Sequence, residues 1–469
     1  MNLLTTLTAI GLELEFPAGI HPGAGKDLGN QLIISMDGCD RPVLRGSALA
    51  GILRHAYAEQ QKLYPDDPQV EAIFGRALND REPHSQDEQP SCLKVENLVL
   101  QCTQGQSFSS VRTHNAINRH RGAVKEHGLY SLQQLPPGVS GSTVLWLQGR
   151  DERTARQLAE TLALILKQGL TMGGHSARGI GLCQLHKLRF KTYQCSDPTQ
   201  HAQALDAIYT WRKEGKLPEG ETLSHGGQTA NQLHCEFCLS VAPGQDFLIS
   251  DSNEMTPQRI TIANGKEHWL LPGSTLRGLF RDWCNRLAAR EGLTIADSKD
   301  QCEASGDMAG WCFDSQDQRE SKKKALSHKG SDIKANVPCP VSRLFGSLYS
   351  GGRIHISDAV SSKPIQNSVD TQARKHVAID MITGGANEGM LFDNTVIVSR
   401  EQHFHIHLVV DQPEEREAQW LAKCIRALDM GLIRVGSSKA SGALSLVGPV
   451  QSRGPQAELF HALKPSRQN

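Results

Sequence analysis

Alternating apolar and polar positions predict two strands that open two similar stretches of the chain. Every second residue from Ile10 to Phe16 is apolar, and the same alternation recurs from Cys235 to Val241. Successive side chains of a strand point to opposite faces, so this pattern is typical of a strand with one buried face. Apolar residues at helical spacing follow after Ser47 and after Ser274. Strands and amphipathic helices without regular strand–helix alternation predict an α+β fold rather than a doubly wound parallel sheet.

The chain contains one series of segments twice, in the same order. The segment ISMDGCDRPVLRGSALAGILR aligns without a gap with TIANGKEHWLLPGSTLRGLFR; IFG then matches LFG, RTHNAI matches RKHVAI, and GGHSARG matches GSSKASG. Several matches in one order are hard to obtain by chance, so the pattern indicates an internal duplication. We therefore predict a first domain at 1–190, a linker at 191–229 with at most a short helix, a second domain at 230–452 and a C-terminal tail at 453–469.

Composition and charge exclude several classes of protein. The 469 residues carry 50 Lys and Arg against 50 Asp and Glu, so nucleic-acid binding would have to come from local patches. No apolar run approaches the roughly 18 residues of a membrane-spanning helix, and the start has no basic segment of the kind that begins a signal peptide. Twelve cysteines without such a signal predict reduced thiols. We expect a cytoplasmic protein that does not associate with a membrane.

Two Gly-Ser turns offer places for phosphate groups. Each turn precedes a predicted helix, with Ser47 and Ser274 as N-caps and Arg54 and Arg281 two turns further on. Free N–H groups and the helix dipole make such a turn a suitable anion site. The same turn also serves in many proteins simply as a helix cap.

A basic segment in the first half, RTHNAINRHRG, is a second candidate. Its positive side chains and imidazoles suit phosphates and base faces, although a solvated charged loop has the same composition. Its partial repetition in the second half favours binding. The residues concerned are Arg112, His114, Arg119, Arg121, Arg374 and His376.

The combination of these motifs resembles the RAMP superfamily of CRISPR-associated proteins, of the backbone type found in type III RNA-guided effector complexes. The second half matches most closely, in PGSTLRG, CPVSRLFGS, GGRIHISDA and RKHVAIDMITGGANEGMLFD. The resemblance implies two tandem ferredoxin-like (RRM-like) RAMP domains, each with a thumb hairpin. It also implies three kinds of partner: guide RNA (crRNA), complementary target RNA and other CRISPR effector subunits.

The resemblance assigns roles to two further sets of residues. The thumb hairpins would insert apolar wedges into the guide–target duplex, with burial in the core as the alternative; the candidates are Ile117, Ile379, Met381 and Ile382. The glycine-rich loop would approach the guide RNA, and its residues are Gly173, Gly174 and Arg178. In the second copy Ser441 aligns with Arg178, and Lys439 lies nearby.

An insertion in the second domain, at about 285–338, suggests a structural Zn²⁺ site. Cys302, Cys312 and His328 lie in this polar segment and Cys339 follows it. Three thiolates and one imidazole are a suitable tetrahedral set for zinc. The spacing is not a CxxC signature, and Cys284 is a competing ligand.

The resemblance also implies a way to cleave target RNA. An acidic residue in the loop after the first strand would position Mg²⁺ and the 2′-hydroxyl that attacks the adjacent phosphate. An ungapped alignment places Gln31 and Gln258 nearest to that position, which argues against cleavage, whereas Asp27 and Asp251 lie close enough to serve.

Four functions therefore remain open. The chain is a guide-binding subunit that is a catalytically inactive scaffold, or one that cleaves target RNA with Mg²⁺ at Asp27 or Asp251. It is alternatively an endoribonuclease that processes guide precursors without metal, through His114 or His376. The last alternative is a generic α+β enzyme unrelated to RNA.

Overall fold

A computed structural model describes most of the chain. The described residues are 5–27, 29, 31–76, 90–101, 109–118, 123–223, 231–251, 254–293, 340–346, 352–381, 383–436 and 441–466. None of the helices in these ranges is long and apolar enough to cross a membrane.

The first half is built around one antiparallel sheet with helices on both faces. Its elements are β1 (Thr6–Phe16), β2 (Gly23–Lys26), β3 (Leu32–Ile34), β4 (Val43–Leu44), α1 (Gly46–Gln60), α2 (Pro68–Phe74), β5 (Leu93–Val95), β6 (Leu98–Gln101), β7 (Ser110–Asn118), β8 (Ala123–Gln134), β9 (Val139–Gln148), α3 (Glu152–Lys167), β10 (Leu170–Thr171), β11 (Leu182–Gln194), α4 (Pro198–Glu214) and β12 (Glu221–Thr222). Strands β11, β1, β9 and β6 lie side by side in that order. With α1 and α3 between them in the chain, they form the βαββαβ arrangement of a ferredoxin-like domain.

The alternation in β1 places its side chains in two different cores. Ile10, Leu12, Leu14 and Phe16 pack with α1 and α3. The opposite face of β1 packs against α4, so β1 is buried on both sides.

Helix α4 lies in the segment predicted as a polar linker, and it is longer than expected. Asp197 caps it by accepting a hydrogen bond from the Thr199 N–H at 2.9 Å, and Pro198 suits the first helical position. Ala204 and Trp211 of this helix are buried against Leu7 and Trp146 of the sheet. The segment is therefore packed against the first half.

The second half repeats the arrangement. Its elements are β13 (Gln232–Val241), β14 (Ser250–Asp251), β15 (Glu254–Pro257), β16 (Arg259–Thr261), β17 (Glu267–Leu271), α5 (Gly273–Arg290), α6 (Pro340–Phe345), β18 (Ile354–Ile356), β19 (Ala359–Val360), α7 (Asn367–Asp370), β20 (Thr371–Ile379), β21 (Ala386–Ile397), β22 (Phe404–Asp411), α8 (Glu415–Asp429), β23 (Leu444–Leu446), β24 (Gln451–Arg453) and α9 (Glu458–His461). The order β18–β22–β13–β23 matches β6–β9–β1–β11 of the first half. The predicted tail contributes α9, whose Phe460 is fully buried in this core.

Candidate nucleic-acid interface

Each half carries a long hairpin at the same place, between its second and third core strands. In the first half β7 pairs with β8, so that His114 lies opposite Tyr130. In the second half β20 pairs with β21, and His376 lies opposite Phe392. These hairpins occupy the positions expected for the thumbs.

The second hairpin presents large apolar side chains to solvent. Val377, Ile379 and Met381 are 48%, 67% and 98% exposed. For Ile379 and Met381, burial in the core is therefore excluded. These three side chains lie within five residues of one another, and contiguous exposed apolar surface is typical of interaction sites. The side chain of Ile117, and Ile382 as a whole, lie outside the described part of the chain.

The glycine-rich loop of the first half folds back onto the end of β1. The Gly174 N–H donates to the His21 carbonyl at 2.9 Å, and the Gly181 N–H donates to the Gly19 carbonyl at 2.8 Å. Gly173 has a φ of +82°, and a Cβ there would lie 2.6 Å from the His21 oxygen, so a side chain is excluded.

The second half forms the same contacts with a shorter loop. The Val435 N–H donates to the Gly442 carbonyl as the Met172 N–H does to Gly181, at 2.8 and 2.7 Å. The structural counterpart of Gly442 is therefore Gly181, and the alignment of Ser441 with Arg178 is wrong. The loop of the first half is two residues longer, so Arg178 has no counterpart at Ser441. Lys439 lies outside the described residues.

The Gly-Ser turns are constrained by packing. A Cβ at Gly46 or Gly273 would overlap the backbone of the strand beside it. The Gly46 N–H donates to the Asn97 Oδ1 and the Gly273 N–H to the Asp358 Oδ1, both at 2.8 Å. These two N–H groups are thus already bonded to side chains and are not open to phosphate.

The assignment of Ser47 and Ser274 as N-caps is wrong. The helices begin at Gly46 and Gly273, so the capping positions lie two residues before the serines, at Arg45 and Pro272, and neither has a side-chain cap. Ser47 is exposed on the first turn of α1.

Arg54 is held by protein groups. Its Nε donates to the Pro65 carbonyl at 2.8 Å, and its guanidinium lies 3.9 Å from Glu71. The side chain therefore connects α1 to the segment that begins α2. Arg281 lies close to Arg277, and its charge adds to the effect of burial in lowering the Arg277 pKa.

Asp358 joins the two halves at the base of the first hairpin. Its buried carboxylate pairs with Arg112 and accepts the Gly273 N–H, while its own N–H donates to the Gly179 carbonyl at 2.7 Å. Gly179 has a φ of +97°, and a Cβ there would overlap the Asp358 carboxylate. Burial raises the pKa of Asp358, partly offset by Arg112 and the Gly273 N–H. The glycine-rich loop, the first hairpin and α5 thus meet at one carboxylate.

Aromatic rings line the adjoining surface. His114 stacks on Tyr130 with centroids 5.4 Å apart, the Arg178 guanidinium lies 5.2 Å from the Tyr130 centroid, and His175 lies between Tyr130 and His21. Burial, with Arg112, Arg178 and His175 nearby, lowers the pKa of His114 to about 3. Burial also lowers the pKa values of His21 and His175. These imidazoles are neutral near pH 7.

Guanidinium groups accumulate at the same junction. Burial first, and then the charges of Arg281 and Arg178, lower the pKa of Arg277 to about 10. The contributions of Arg281 and Arg178 to this shift show that three guanidinium groups lie within electrostatic reach of one another. The junction therefore has the local positive charge that the net composition does not supply.

The second hairpin is anchored within its own half. Arg374 pairs with the buried Asp246 at 2.5 Å. Asp246 and Gly19 occupy equivalent places, because Gly442 and Gly181 bond to their respective carbonyls. The Arg374 contact therefore closes the second half on itself, whereas the Arg112 contact joins the halves.

Asp27 is exposed in the turn between β2 and β3, and its side chain closes that turn. Its Oδ1 accepts the Gly29 and Gln31 N–H groups at 2.9 and 2.8 Å. The side chain of Asp251 lies outside the described part of the chain, as do Arg119 and Arg121. No group of three or more His, Cys, Asp or Glu side chains in the described ranges could hold a metal ion.

The ungapped alignment of Gln31 with Gln258 is wrong. The Gln258 N–H donates to the Ile249 carbonyl, and its carbonyl accepts from Leu270. In the first half Ser35 makes the matching bonds, to Pro22 and Val43. The second half has fewer residues before this position and more residues after it than the first half has. These two differences cancel, so the alignment shows no gap. The two glutamines therefore give no evidence on whether either half keeps the acidic residue that cleavage would need.

The predicted zinc ligands lie outside the described residues. They are Cys302, Cys312, His328 and Cys339. Cys284 is described, and it is buried in the core with its sulfur 3.8 Å from that of Cys424. Cys284 therefore packs in the core of the second half.

Sequence reasoning missed Asp358, Arg277, Tyr130 and His175. Arg277 and Asp358 stand in the segments PGSTLRG and GGRIHISDA, but no sequence pattern shows which residues each of them meets. Asp358 and Arg277 interact with Arg112 and Arg178 of the other half. Tyr130 and His175 instead contact rings of their own half that are distant in the sequence.

Comparison with known proteins agrees with the duplicated fold. The model of the RAMP superfamily matches residues 13–184 and 221–443, which together are most of the chain and fall on both halves. No curated protein matches the chain.

Proposed function

The chain belongs to the RAMP superfamily, whose members are CRISPR-associated RNA-binding proteins, and from this premise we propose that it is a guide-RNA-binding backbone subunit of a type III effector complex. Its partners would be guide RNA, complementary target RNA and other effector subunits. It would act in the cytoplasm.

One observation carries the proposal: the junction where the glycine-rich loop, the first hairpin and α5 meet. Arg178, Arg277 and Arg281 create positive potential there, and Tyr130 and His175 offer ring faces beside Arg178. Cationic groups beside aromatic rings suit single-stranded RNA, since the former contact phosphates and the latter stack on bases. The exposed Ile379 and Met381 fit a second contact, with a guide–target duplex.

Arg178 provides the test. Arg178→Ala should weaken binding of the full chain to an RNA of guide length, measured by fluorescence anisotropy, and should reduce the salt dependence of binding. Arg153→Ala, on the exposed side of α3, is the matched control and should leave both unchanged. Equal binding by the two variants would contradict the proposal that the junction holds RNA.

Cleavage of target RNA is a second candidate function, favoured by Asp27. Its exposed carboxylate is fixed by two backbone N–H groups, so it is oriented and open to solvent. A bound Mg²⁺ would stabilise the charge that develops on the phosphate, and Asp27 or Asp251 would hold it. Loss of Mg²⁺-dependent cleavage in Asp27→Ala or Asp251→Ala would support this role. Unchanged cleavage in both would refute it, and a complex that binds target without cleaving it would be an inactive scaffold.

Guide-precursor processing through His114 receives no support. A general acid or base works best with a pKa near the operating pH, whereas His114 is 7% exposed and its pKa is about 3. The ring is suited to stacking on Tyr130.

A further inference from the structure

A cavity of about 260 Å³ lies between the two halves. The first half contributes the end of α1, the residues from Gln168 to Thr171, and Ser176 and Ala177 of the glycine-rich loop. The second half contributes the starts of β13 and α5 and the strands β18 and β22. The cavity is large enough for a small planar ligand.

Four of the residues that line this cavity carry a buried polar atom with an unmet hydrogen bond. Among the described residues, the Gln168 Nε2, the Gln232 Oε1, the Arg277 Nε and the His355 Nε2 have no partner. His355 is only 7% exposed. A buried polar atom without a partner is destabilising, so such a set in one cavity indicates a ligand that supplies both donors and acceptors.

The cavity carries charges of both signs, because Arg277 and two acidic residues line it, so it is not a simple phosphate site. Glu59 and Asp411 both line it, and burial, with the Glu59 charge nearby, raises the pKa of Asp411 to about 6. Arg353 also lines it, but its guanidinium is committed to Glu417 and to backbone carbonyls. The carboxylates would repel an anion, whereas a neutral ligand with a polar edge would bind both signs of charge.

The remaining walls suit a flat ring. Ile165, Ile354 and Val409 are apolar parts of the lining, and they lie beside the amides and the imidazole. A nucleobase has apolar faces and an edge of alternating donors and acceptors, which is the combination that this lining accommodates.

We propose that the cavity binds one unstacked nucleobase, supplied by an RNA strand that crosses the junction. This inference rests on the proposed RNA-binding function and specifies a subsite for it. Ser176 and Ala177 of the glycine-rich loop line the cavity, and Arg178 follows them, close enough to Arg277 to act on its charge. The base would enter between the halves while its phosphate stays outside with Arg178.

The test compares two RNA probes on the full-length chain. The first is a single-stranded oligoribonucleotide, and the second is the same strand without bases. Gln168→Met and His355→Phe each remove polar atoms from the cavity at similar volume. Gln157→Met, on the exposed side of α3, is the matched control. A free nucleoside monophosphate is titrated against the same variants. This titration shows whether the base in the cavity comes from a mononucleotide or from an RNA strand.

We expect both cavity variants to bind the normal strand about three- to tenfold more weakly than the wild type, since each loses one hydrogen bond. Their binding of the abasic strand should be unchanged, and Gln157→Met should behave as the wild type with both probes. Equal losses on both strands, or no loss on either, would overturn the base site while leaving RNA binding intact; a cavity filled only with water predicts the latter. Absence of RNA binding by the wild type would instead refute the proposed function. If the wild type binds the nucleoside monophosphate but not the strand, and the cavity variants lose that binding, the base site stands and RNA is rejected as the source of the base.

Discussion

Removal of Arg112 should break the junction between the halves. In Arg112→Met the fully buried Asp358 carboxylate loses its counter-charge, and breaking a buried ion pair from one side typically costs about 3–5 kcal/mol. Asp358→Asn retains an acceptor for the Gly273 N–H, as Asn97 does for Gly46 in the first half. The double variant buries neither charge, so its stability should lie close to that of the wild type.

Denaturant unfolding of the full chain, followed by circular dichroism for the four proteins of this cycle, measures these free energies. The effect should also depend on pH. In the folded Arg112→Met variant the pKa of Asp358 is higher than in the folded wild type and higher than in the unfolded chain. The folded variant therefore binds a proton at Asp358 more readily than either of them as the pH falls. The difference in stability between Arg112→Met and the wild type should therefore shrink as the pH falls from 7 to 5. Additive losses in the double variant, or a difference that grows at low pH, would refute the reasoning.

Four further predictions concern other parts of the chain. Gly179→Ala should destabilise the chain by about 1–3 kcal/mol, because it combines a positive φ with a clash against the carboxylate, whereas Gly149→Ala has open space and should cost less in the same unfolding assay. The folded-state pKa of about 3 at His114 lies below the unfolded value, so its contribution to stability is full above about pH 6.5 and is lost as the pH falls toward 3; His114→Phe should flatten the dependence of Tm on pH across that window, and an unchanged slope would contradict it. Met381→Ser should change stability by less than about 0.5 kcal/mol yet weaken binding to a guide–target duplex in a mobility-shift assay, and unaltered binding would remove the wedge role. If the insertion holds zinc, the purified chain should contain one equivalent by metal analysis and Cys302→Ser should lower it; a metal-free wild type would reject the site.

The duplication and the strand patterns could be predicted from sequence because they depend on local order. The alternation from Ile10 to Phe16 predicts one buried face of β1, and the repeated RTHNAI and RKHVAI segments mark two hairpins. The second buried face of β1 could not be predicted in this way. It depends on α4, whose polar composition and exposed Leu205 and Tyr209 hide the few buried residues that hold it.

The junction could not be predicted because its partners are distant in the chain. Arg112 and Asp358 are separated by 246 positions, and each stands in a motif of its own. Compensating differences in loop length also misled the ungapped alignment, which paired Gln258 with Gln31 where backbone hydrogen bonds pair it with Ser35. Such differences leave no trace in local residue patterns.

The nucleic acid that accompanies the chain in its native assembly tests the central claim most directly. The complex would be purified by a tag on this chain from cells that carry the matching CRISPR array, and the bound RNA would be extracted and sequenced. The account predicts guide RNA in the wild-type complex and markedly less of it with Arg178→Ala, while Arg153→Ala retains it. A wild-type assembly without RNA would contradict the account.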